Sequence, residues 1–312
     1  MAERSGISLK AHAAAKLGCD TNDGMGGLVL AGHTDTVPFD EALWQSDPFT
    51  VKDHQDRYYG LGSCDMKGFF PVALEAAATF AKQQLSAPLT IVATSDEESS
   101  MAGSRYLLEC DKPKADFAII GEPTAMQPIF AHKGISMMTI QLEGASGHSS
   151  DPSLGANALD AMHRVMGELI AMREELAAAN QNNAFAINAP IMNLDCMHAG
   201  DNPNRICGHA ALQTDLRLPL GMDSEAIHEA LKRRIAAVVA NIGVSLQLPT
   251  AYPPIPPFPP FQSGPNGELL DALSGLSENQ PVTFGTDAHF MQALGMETVV
   301  RWPGSVDQAH QP

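Results

Sequence analysis

The sequence predicts a mixed α/β protein in which a central β-sheet domain is interrupted by an inserted ferredoxin-like domain. Three apolar segments, Leu28–Ala31, Leu89–Ala93 and Phe117–Ile120, resemble buried strands and are separated by helical segments. Each of them is followed within three residues by a histidine or an acidic residue. From about residue 132 the pattern changes to β-α-β-β-α-β, which is typical of a ferredoxin-like unit.

The elements of the first domain follow from composition and periodicity. An alanine-rich segment, Phe69–Gln84, predicts a helix with apolar residues along one side. A second helix is expected over Met101–Cys110, and a short strand over Tyr58–Gly60. The chain before Leu28 has no clear pattern, since residues 11–18 fit either a short helix or a short strand.

The inserted domain is predicted to cover residues 132–254. Its elements, in chain order, are a strand at 137–142, a helix at 157–179, strands at 191–197 and 210–218, a helix at 223–242 and a strand at 244–248. The proline-rich segment 253–260 is too stiff for a helix and suits a linker that returns the chain to the first domain. The first domain is therefore expected to be discontinuous, comprising residues 1–131 and 255–312.

Composition excludes several classes of partner. The 312 residues include 36 acidic and 19 basic residues, for a formal charge of −17, which disfavours nucleic acid and anionic membranes. No apolar segment is long enough for a membrane span, and the N-terminal segment lacks the apolar core of a signal peptide. The five cysteines are scattered and form no C-x-x-C pair. These features predict reduced thiols in a cytoplasmic protein.

Polar residues stand at the end of each predicted buried strand. His33 and Asp35 follow the first strand, Glu97 and Glu98 follow the second, and Glu122 follows the third. In an open α/β sheet, ligands bind beyond the carboxyl ends of the strands. Imidazole and carboxylate ligands without thiolates suit zinc, cobalt or manganese. We therefore expect a site for divalent metal ions at this edge of the sheet.

Each of these features also has a second interpretation. His33 and Asp35 lie on one face of an extended chain, and they fit either a metal ligand with its supporting carboxylate or an ordinary polar pair. Asp65 fits either the N-cap of the following helix or a carboxylate that bridges two metal ions. Glu97 and Glu98 fit either a solvated helix start or a metal site, where a dication would relieve their mutual repulsion.

Several short motifs occur in order between Leu28 and Pro312: HTDTVP, GSCDMKG, SDEESS, GEPT, SGHSSDP and GSVDQAHQP. This ordered set resembles the M20 family of metallo-aminoacylases and peptidases, and within it the acetylornithine deacetylase branch. The resemblance implies that residues 1–131 and 255–312 form a catalytic domain that binds two divalent metal ions, Zn²⁺ or Co²⁺. It also implies that residues 132–254 form a dimerisation and lid domain.

The resemblance further implies a set of metal ligands. His33 and Glu122 would complete one metal site, and Glu98 and His310 would complete the other. Asp65 would bridge the two ions.

Three more residues acquire roles from the same resemblance. Asp35 would orient the imidazole of His33, and Glu97 would be the general acid and base. His148, in the inserted domain, would reach the active site of a partner subunit and stabilise the oxyanion. By its sequence context alone, a Gly/Ser-rich loop, His148 fits a solvated surface histidine equally well.

Asn204 and Arg205 resemble the segment that lies near the substrate carboxylate in the family. A guanidinium is a suitable partner for an α-carboxylate, because it can donate two parallel hydrogen bonds. Arg205 fits equally well an ion pair with a nearby acid such as Asp201.

The activity implied by the resemblance is hydrolysis of the amide of N-acetyl-L-ornithine to acetate and L-ornithine, a reaction of arginine biosynthesis. The alternatives are desuccinylation of N-succinyl-diaminopimelate, a broader aminoacylase or dipeptidase activity, and an inactive remnant. The substrate would be a small N-acyl amino acid, and the protein would form a homodimer through the inserted domain. Relative to the family pattern, the chain is expected to be truncated at both ends, with poor metal retention at the Glu98/His310 site and reduced stability.

Overall fold

The computed structural model describes residues 8–10, 14–17, 26–81, 83, 85–251, 258–263, 267–274 and 280–309. The strands are β1 (Ser8–Lys10), β2 (Ala14–Leu17), β3 (Leu28–His33), β4 (Lys52–His54), β5 (Arg57–Tyr59), β6 (Leu89–Thr94), β7 (Phe117–Ile120), β8 (Ile129–His132), β9 (Gly134–Glu143), β10 (Ile191–Ala199), β11 (His209–Leu218), β12 (Ser245–Ala251), β13 (Phe261–Gln262), β14 (Gln280–Val282) and β15 (Glu297–Val300). The helices are α1 (Phe69–Phe80), α2 (Ala102–Glu109), α3 (Ala158–Ala179), α4 (Ser224–Val239), α5 (Glu268–Ser274) and α6 (Ala288–Ala293).

The chain divides into two compact units, Met1–His132 with Phe261–Pro312, and Lys133–Pro260. The division falls at 132/133 and 260/261, whereas the sequence predicted 131/132 and 254/255. His132 stays in the first unit because it is the last residue of β8 and pairs with Phe261 of β13. Phe258 belongs to the second unit because its backbone amide and carbonyl groups both form hydrogen bonds with the backbone of Ile135. Residues 252–257 of the predicted proline-rich linker lie outside the described residues.

The first unit contains the central sheet, and the predicted mixed α/β architecture is confirmed. Among the described residues its strands lie in the order β1-β2-β6-β3-β7-β15-β8-β13, and β14 pairs with β8. Strands β6, β3, β7 and β15 are parallel, whereas β2 runs antiparallel to β6 and β13 runs antiparallel to β8. The apolar side chains of the three predicted strands explain the central position of β3, β6 and β7, since buried parallel strands carry near-continuous apolar runs.

Some elements of this unit differ from the prediction. For residues 11–18 the sequence left a short helix and a short strand as alternatives. The structure shows a strand, β2, at residues 14–17. Strand β8 was not predicted, although its segment Ile129–His132 is largely apolar and buried. Helix α1 ends at Phe80, earlier than the predicted Gln84. The predicted helix was longer because the alanine, lysine and glutamine residues that follow Phe80 also have a high helix propensity.

The second unit is a four-stranded antiparallel sheet in the order β10-β11-β9-β12. Its elements follow the chain order β9-α3-β10-β11-α4-β12, which is the predicted β-α-β-β-α-β sequence. Side chains of Asn157 and Asp223 accept hydrogen bonds from the first backbone amides of α3 and α4, and both helices begin where these caps place them. Apolar residues of α3, α4 and one sheet face form one continuous core.

Two glycines allow α1 to pack tightly against the strand ends of the first unit. A Cβ atom at Gly32 would lie 2.2 Å from Met66 Cε, and one at Gly121 would lie 2.2 Å from Phe69 Cδ2. Both separations are far below van der Waals contact. The absence of a side chain at these positions is therefore a packing requirement of the sheet edge where the polar residues lie.

Substitution of Gly121 by alanine is expected to lower the free energy of unfolding by about 1–3 kcal/mol, because the added methyl group overpacks against the Phe69 ring. Gly60→Ala is the matched control in the same unit, since its Cβ would meet nothing closer than 3.5 Å. Urea unfolding followed by tryptophan fluorescence measures both changes. Equal stabilities of the two variants would contradict the packing argument.

His289, on α6, is expected to make the fold sensitive to acid. Burial lowers its pKa to about 3, and the charges of His132 and Arg105 act in the same direction. The unfolded chain therefore binds a proton at this position more readily than the folded protein does. The contribution of His289 to the free energy of unfolding is complete above about pH 6.5. At lower pH this contribution decreases by up to about 1.4 kcal/mol for each pH unit. His289→Gln is expected to flatten the pH dependence of urea unfolding in this range, whereas His163→Gln, at an exposed position, is expected to leave it unchanged.

Within the described residues, no helix combines the length and the apolar character that a membrane crossing requires.

Candidate metal centre

The sheet register brings the polar strand ends together. His33 is the last residue of β3, and it lies beside Thr94, the last residue of β6. On the other side of β3, Ala31 lies beside Ile120, the last residue of β7. Because the three strands are parallel neighbours, the residues that follow them emerge at one edge of the sheet. The loop after β6 carries Glu97 and Glu98, and the loop after β7 carries Glu122.

His33 is at the centre of this cluster and is only 1% exposed. Its Nδ1 lies 3.1 Å from the main-chain oxygen of Asp35 and 3.5 Å from the carboxylate of Asp35. Its Nε2 lies 3.1 Å from Asp65 Oδ1 and 3.7 Å from Glu122 Oε1. The ring is therefore held on one side by Asp35, and its other nitrogen faces two carboxylates.

The carboxylates of the two loops complete the cluster. One ligand atom from each of His33, Glu97 and Glu122 lies within 4.8 Å of the others, and the same holds for His33, Asp65 and Glu98. Asp35 also connects the strand end to the second loop, because its Oδ2 accepts a hydrogen bond of 3.1 Å from the backbone amide of Glu98. The cluster thus contains two overlapping groups of three residues that could each bind a metal ion, and His33 belongs to both groups.

The electrostatics of the cluster reflect several buried negative charges around one imidazole. Burial by itself would lower the pKa of His33, but Asp35, Asp65 and the other nearby carboxylates raise it to about 12. Burial raises the pKa of Glu97 and of Glu122 well above the usual carboxyl range, and repulsion from their acidic neighbours adds to the shift. This cluster strongly favours a bound positive charge.

The residues present fit a divalent metal ion. The donor set consists of one imidazole and several carboxylates without a thiolate ligand, which suits zinc, cobalt or manganese. Glu122 Oε1 is buried and forms no hydrogen bond with the part of the chain that the structure describes. A dication between these oxygen atoms would neutralise charges that otherwise disfavour burial.

The structure decides two of the alternatives that the sequence left open. Helix α1 begins at Phe69 after Gly68, so Asp65 is not its N-cap. Helix α2 begins at Ala102, so Glu97 and Glu98 are not in its first turn. Asp65 therefore does not cap α1, and Glu97 and Glu98 are not part of the first turn of α2. All three acids lie in the cluster around His33.

A cleft of about 250 Å³ opens beside the cluster within the first unit. Asp65 and Glu98 contribute to its lining, together with the apolar side chains of Phe39, Leu43 and Trp44. The cleft therefore combines charged groups with an apolar wall, which is the usual character of a small-molecule site.

The remaining predicted site residues belong to the second unit or fall outside the described residues. His148, Asn204 and Arg205 belong to the second unit, where His148 and Arg205 form a backbone bridge and the Ser149 amide donates to the Asn204 carbonyl. His148 is exposed, and its Nδ1 lies 2.8 Å from Ser150 Oγ. Arg205 donates to Asp201 at 2.6 Å, the ion pair that the sequence left open as an alternative. His310 lies outside the described residues.

Sequence reasoning missed one buried acid near this edge of the sheet. Asp287 precedes α6, is 2% exposed, and lies 2.9 Å from the Thr94 hydroxyl. Its carboxylate is close enough to contribute to the raised pKa of Glu97 and of Glu122. The available signal was an acid between an apolar strand and an apolar helix, but that pattern also fits an ordinary helix cap.

Comparison with known proteins agrees with the geometry. Residues 29–312 match the model of peptidase family M20/M25/M40. The chain is 42% identical over 290 residues to an acetylornithine deacetylase of Edwardsiella ictaluri (strain 93-146), covering 93% of this chain and 75% of that protein.

Solved structures share the fold at low sequence identity. An M20 family metallo-carboxypeptidase from Sulfolobus solfataricus superposes with a TM-score of 0.70 at 19% identity, covering 98% of this chain and 84% of that chain. A dinuclear metal-binding M20 peptidase from Bacillus subtilis superposes with a TM-score of 0.66 at 13% identity, covering 97% and 80%. The family match, the 42% identity and the cluster of acids around His33 agree, and we conclude that the chain belongs to peptidase family M20/M25/M40 and is a metal-dependent amidohydrolase.

Proposed function

We propose that the protein hydrolyses the amide of N-acetyl-L-ornithine to acetate and L-ornithine with two divalent metal ions, Zn²⁺ or Co²⁺. The observation that carries the proposal is the placement of His33 among Asp65, Glu97, Glu98 and Glu122 at one edge of the sheet. The substrate assignment is supported by the 42% identity to an acetylornithine deacetylase.

The proposed metal ligands follow from this cluster and from the family resemblance. His33, Asp65 and Glu122 would hold one ion, and Asp65, Glu98 and His310 would hold the other. When bound, the two ions would lower the pKa of a water molecule and polarise the substrate carbonyl.

Glu97 is the proposed general base and acid. Its raised pKa, caused first by burial and then by Glu122 and Asp287, favours a carboxylate that readily accepts a proton. Glu97 would take the proton of the attacking water and later return it to the departing amine. Asp35 would keep Nδ1 of His33 occupied, so that Nε2 remains directed at the metal site.

The substrate would lie in the cleft beside this cluster. The apolar wall of Phe39, Leu43 and Trp44 suits the methyl group of the acyl moiety or the methylene groups of the amino acid. Arg205 and Asn204 are the proposed partners of the α-carboxylate, which would compete with Asp201 for the guanidinium. The acidic composition of the chain favours a substrate with a side-chain ammonium.

Homodimerisation through the second unit, with His148 acting at the partner's active site, is part of the proposal. The exposed position of His148 is compatible with a role at an interface. Mixing His148→Ala with Glu97→Gln tests the idea, because a hybrid dimer would contain one site free of both changes. Recovery of activity on mixing two inactive variants would support action across the interface, and sedimentation as a monomer with full activity would contradict it.

The decisive test of the substrate is release of acetate from N-acetyl-L-ornithine by the metal-free protein and by protein loaded with zinc or cobalt. N-succinyl-LL-diaminopimelate and a set of dipeptides serve as competing substrates. Preference for the acetyl compound with either metal supports the proposal. Faster hydrolysis of the succinyl compound or of dipeptides would assign a sister activity, and no hydrolysis of any amide would indicate an inactive protein.

The cytoplasm is the proposed compartment, and arginine biosynthesis is the proposed pathway. Cys64, Cys110, Cys196 and Cys207 are free thiols, which is typical of proteins from reducing compartments.

A further inference from the structure

The cleft beside the candidate metal centre contains an acid that has no role in the proposed mechanism. Asp40 lines this cleft together with Asp65 and Glu98, and the described residues of the lining include no lysine, arginine or histidine. Asp65 and Glu98 are proposed metal ligands, so their charges would be balanced by the metal ions. Asp40 is then the acid of the described lining whose negative charge remains available to a substrate.

A short turn holds the carboxylate of Asp40 in place. Its Oδ1 accepts a hydrogen bond of 3.0 Å from the Ala42 amide, and its main-chain oxygen accepts one of 3.1 Å from the Leu43 amide. Immediately before the turn, the Phe39 ring packs edge-on against the Phe49 ring, with 5.2 Å between the ring centroids. Because Oδ1 is the atom that accepts from the turn, Oδ2 is left to face a ligand.

The wall of the cleft near Asp40 is suited to one kind of side chain. Phe39, Leu43 and Trp44 are close to Asp40 in the chain and line the same cleft. Apolar side chains of this kind contact methylene groups, and a carboxylate binds an ammonium group by a charge-assisted hydrogen bond. An aliphatic side chain that ends in a cation satisfies both groups, whereas a side chain that ends in a carboxylate would be repelled.

The length of such a side chain agrees with the size of the cleft. The side-chain nitrogen of ornithine is four bonds from Cα, a distance of about 5 Å in the extended form. The cleft volume of about 250 Å³ is comparable with that of one small N-acyl amino acid. A substrate whose amide lies at Asp65 and Glu98 would therefore fill the cleft, and its side chain would extend along the wall that carries Asp40.

We propose that Asp40 is a specificity-determining residue that binds the side-chain ammonium of an N-acyl diamino acid. Its Oδ2 accepts a hydrogen bond from the ammonium group, while the apolar wall contacts the methylene groups of the same side chain. The inference rests on the proposed function, because it requires the substrate amide to lie at the metal centre. It adds the residue that selects the substrate and the chemical class selected: amino acids acylated at the α-nitrogen whose aliphatic side chain ends in a cation.

The ratio of kcat/KM for two acetyl compounds tests this assignment. N-acetyl-L-norvaline has the three side-chain carbons of N-acetyl-L-ornithine but lacks the amine. The wild type is expected to prefer the ornithine compound by about tenfold, mainly through KM, because water partly screens an ion pair in an open cleft. Asp40→Asn keeps the acceptor for the Ala42 amide but removes the charge, and its ratio is expected to fall to about one.

Glu41→Gln is the matched control. It removes one negative charge from the next residue of the same turn, but Glu41 lines a neighbouring hollow of the surface instead of the cleft. Its ratio is expected to stay close to that of the wild type. Equal loss of the preference in both variants would assign the selection to the overall negative charge of the loop and would overturn the role of Asp40. An unchanged ratio in Asp40→Asn would overturn it as well.

Binding of free amino acids tests Asp40 without any hydrolysis. Titration calorimetry on the zinc-loaded protein is expected to show that L-ornithine binds about tenfold more tightly than L-norvaline, and that Asp40→Asn removes this difference. Equal affinities in the wild type, or no binding of L-ornithine, would overturn the inference. If no amide is hydrolysed but the preference for ornithine depends on Asp40, the proposed function fails and the role of Asp40 stands. If N-acetyl-L-ornithine is hydrolysed but the preference does not depend on Asp40, only the role of Asp40 fails.

Discussion

Substitution of Glu97 by glutamine is expected to lower kcat by about 100- to 10,000-fold, because the amide keeps the size of the side chain but cannot accept a proton from water. Metal affinity is expected to change far less, since the proposed ligands are other residues. Burial and neighbouring carboxylates raise the pKa of Glu97, and glutamine also removes this repulsion. The variant is therefore expected to be at least as stable as the wild type in the metal-free state.

Three measurements on one preparation separate these effects: acetate release, zinc content and thermal unfolding. Glu109→Gln, at an exposed position on α2, is the matched control and is expected to retain full activity. Activity of Glu97→Gln close to that of the control would refute the assignment of Glu97 as the base. A parallel loss of zinc would instead assign Glu97 as a ligand.

Substitution of Asp65 by asparagine is expected to abolish tight binding of both metal ions. Asp65 Oδ1 lies 3.1 Å from His33 Nε2, and Asp65 shares a possible ligand set with Glu98. Loss of a residue that only supports a ligand costs roughly 10- to 100-fold in metal affinity, and loss of a bridging ligand is expected to cost more than that. Acetate release should fall with the metal content.

Titration calorimetry with zinc and cobalt measures the effect of Asp65→Asn directly. Thermal unfolding provides a second readout, because a ligand that binds only the folded state raises its stability. In the wild type the added metal is expected to raise Tm, and in Asp65→Asn this increase is expected to disappear. Asp53→Asn, on the exposed strand β4, is the control. Two tightly bound ions in Asp65→Asn would exclude a bridging role.

The strand ends that form the centre were predictable because a buried strand followed by a charged residue is a strong local signal. His33 and Glu122 follow the ends of β3 and β7, which are parallel neighbours, and the register of these two strands is sufficient to bring the two residues close together. Asp65 was harder to place, since a position shortly before a helix suggests a cap, and only the observed start of α1 at Phe69 excludes that role. Asp287 was missed because its partner, Thr94, lies 193 residues away in the chain.

The sequence by itself determined the mixed α/β class, the family, the order of elements in the second unit and the acids and histidine at the strand ends. Apolar runs, caps and motif order are local properties, and they can be recognised without knowledge of contacts. Only the tertiary structure decided which strands are neighbours, that β2 and β13 make the central sheet mixed, and how closely the carboxylates surround His33. These features depend on pairing between distant segments, and burial of several charges in one place, which shifts their pKa values, arises only after that pairing.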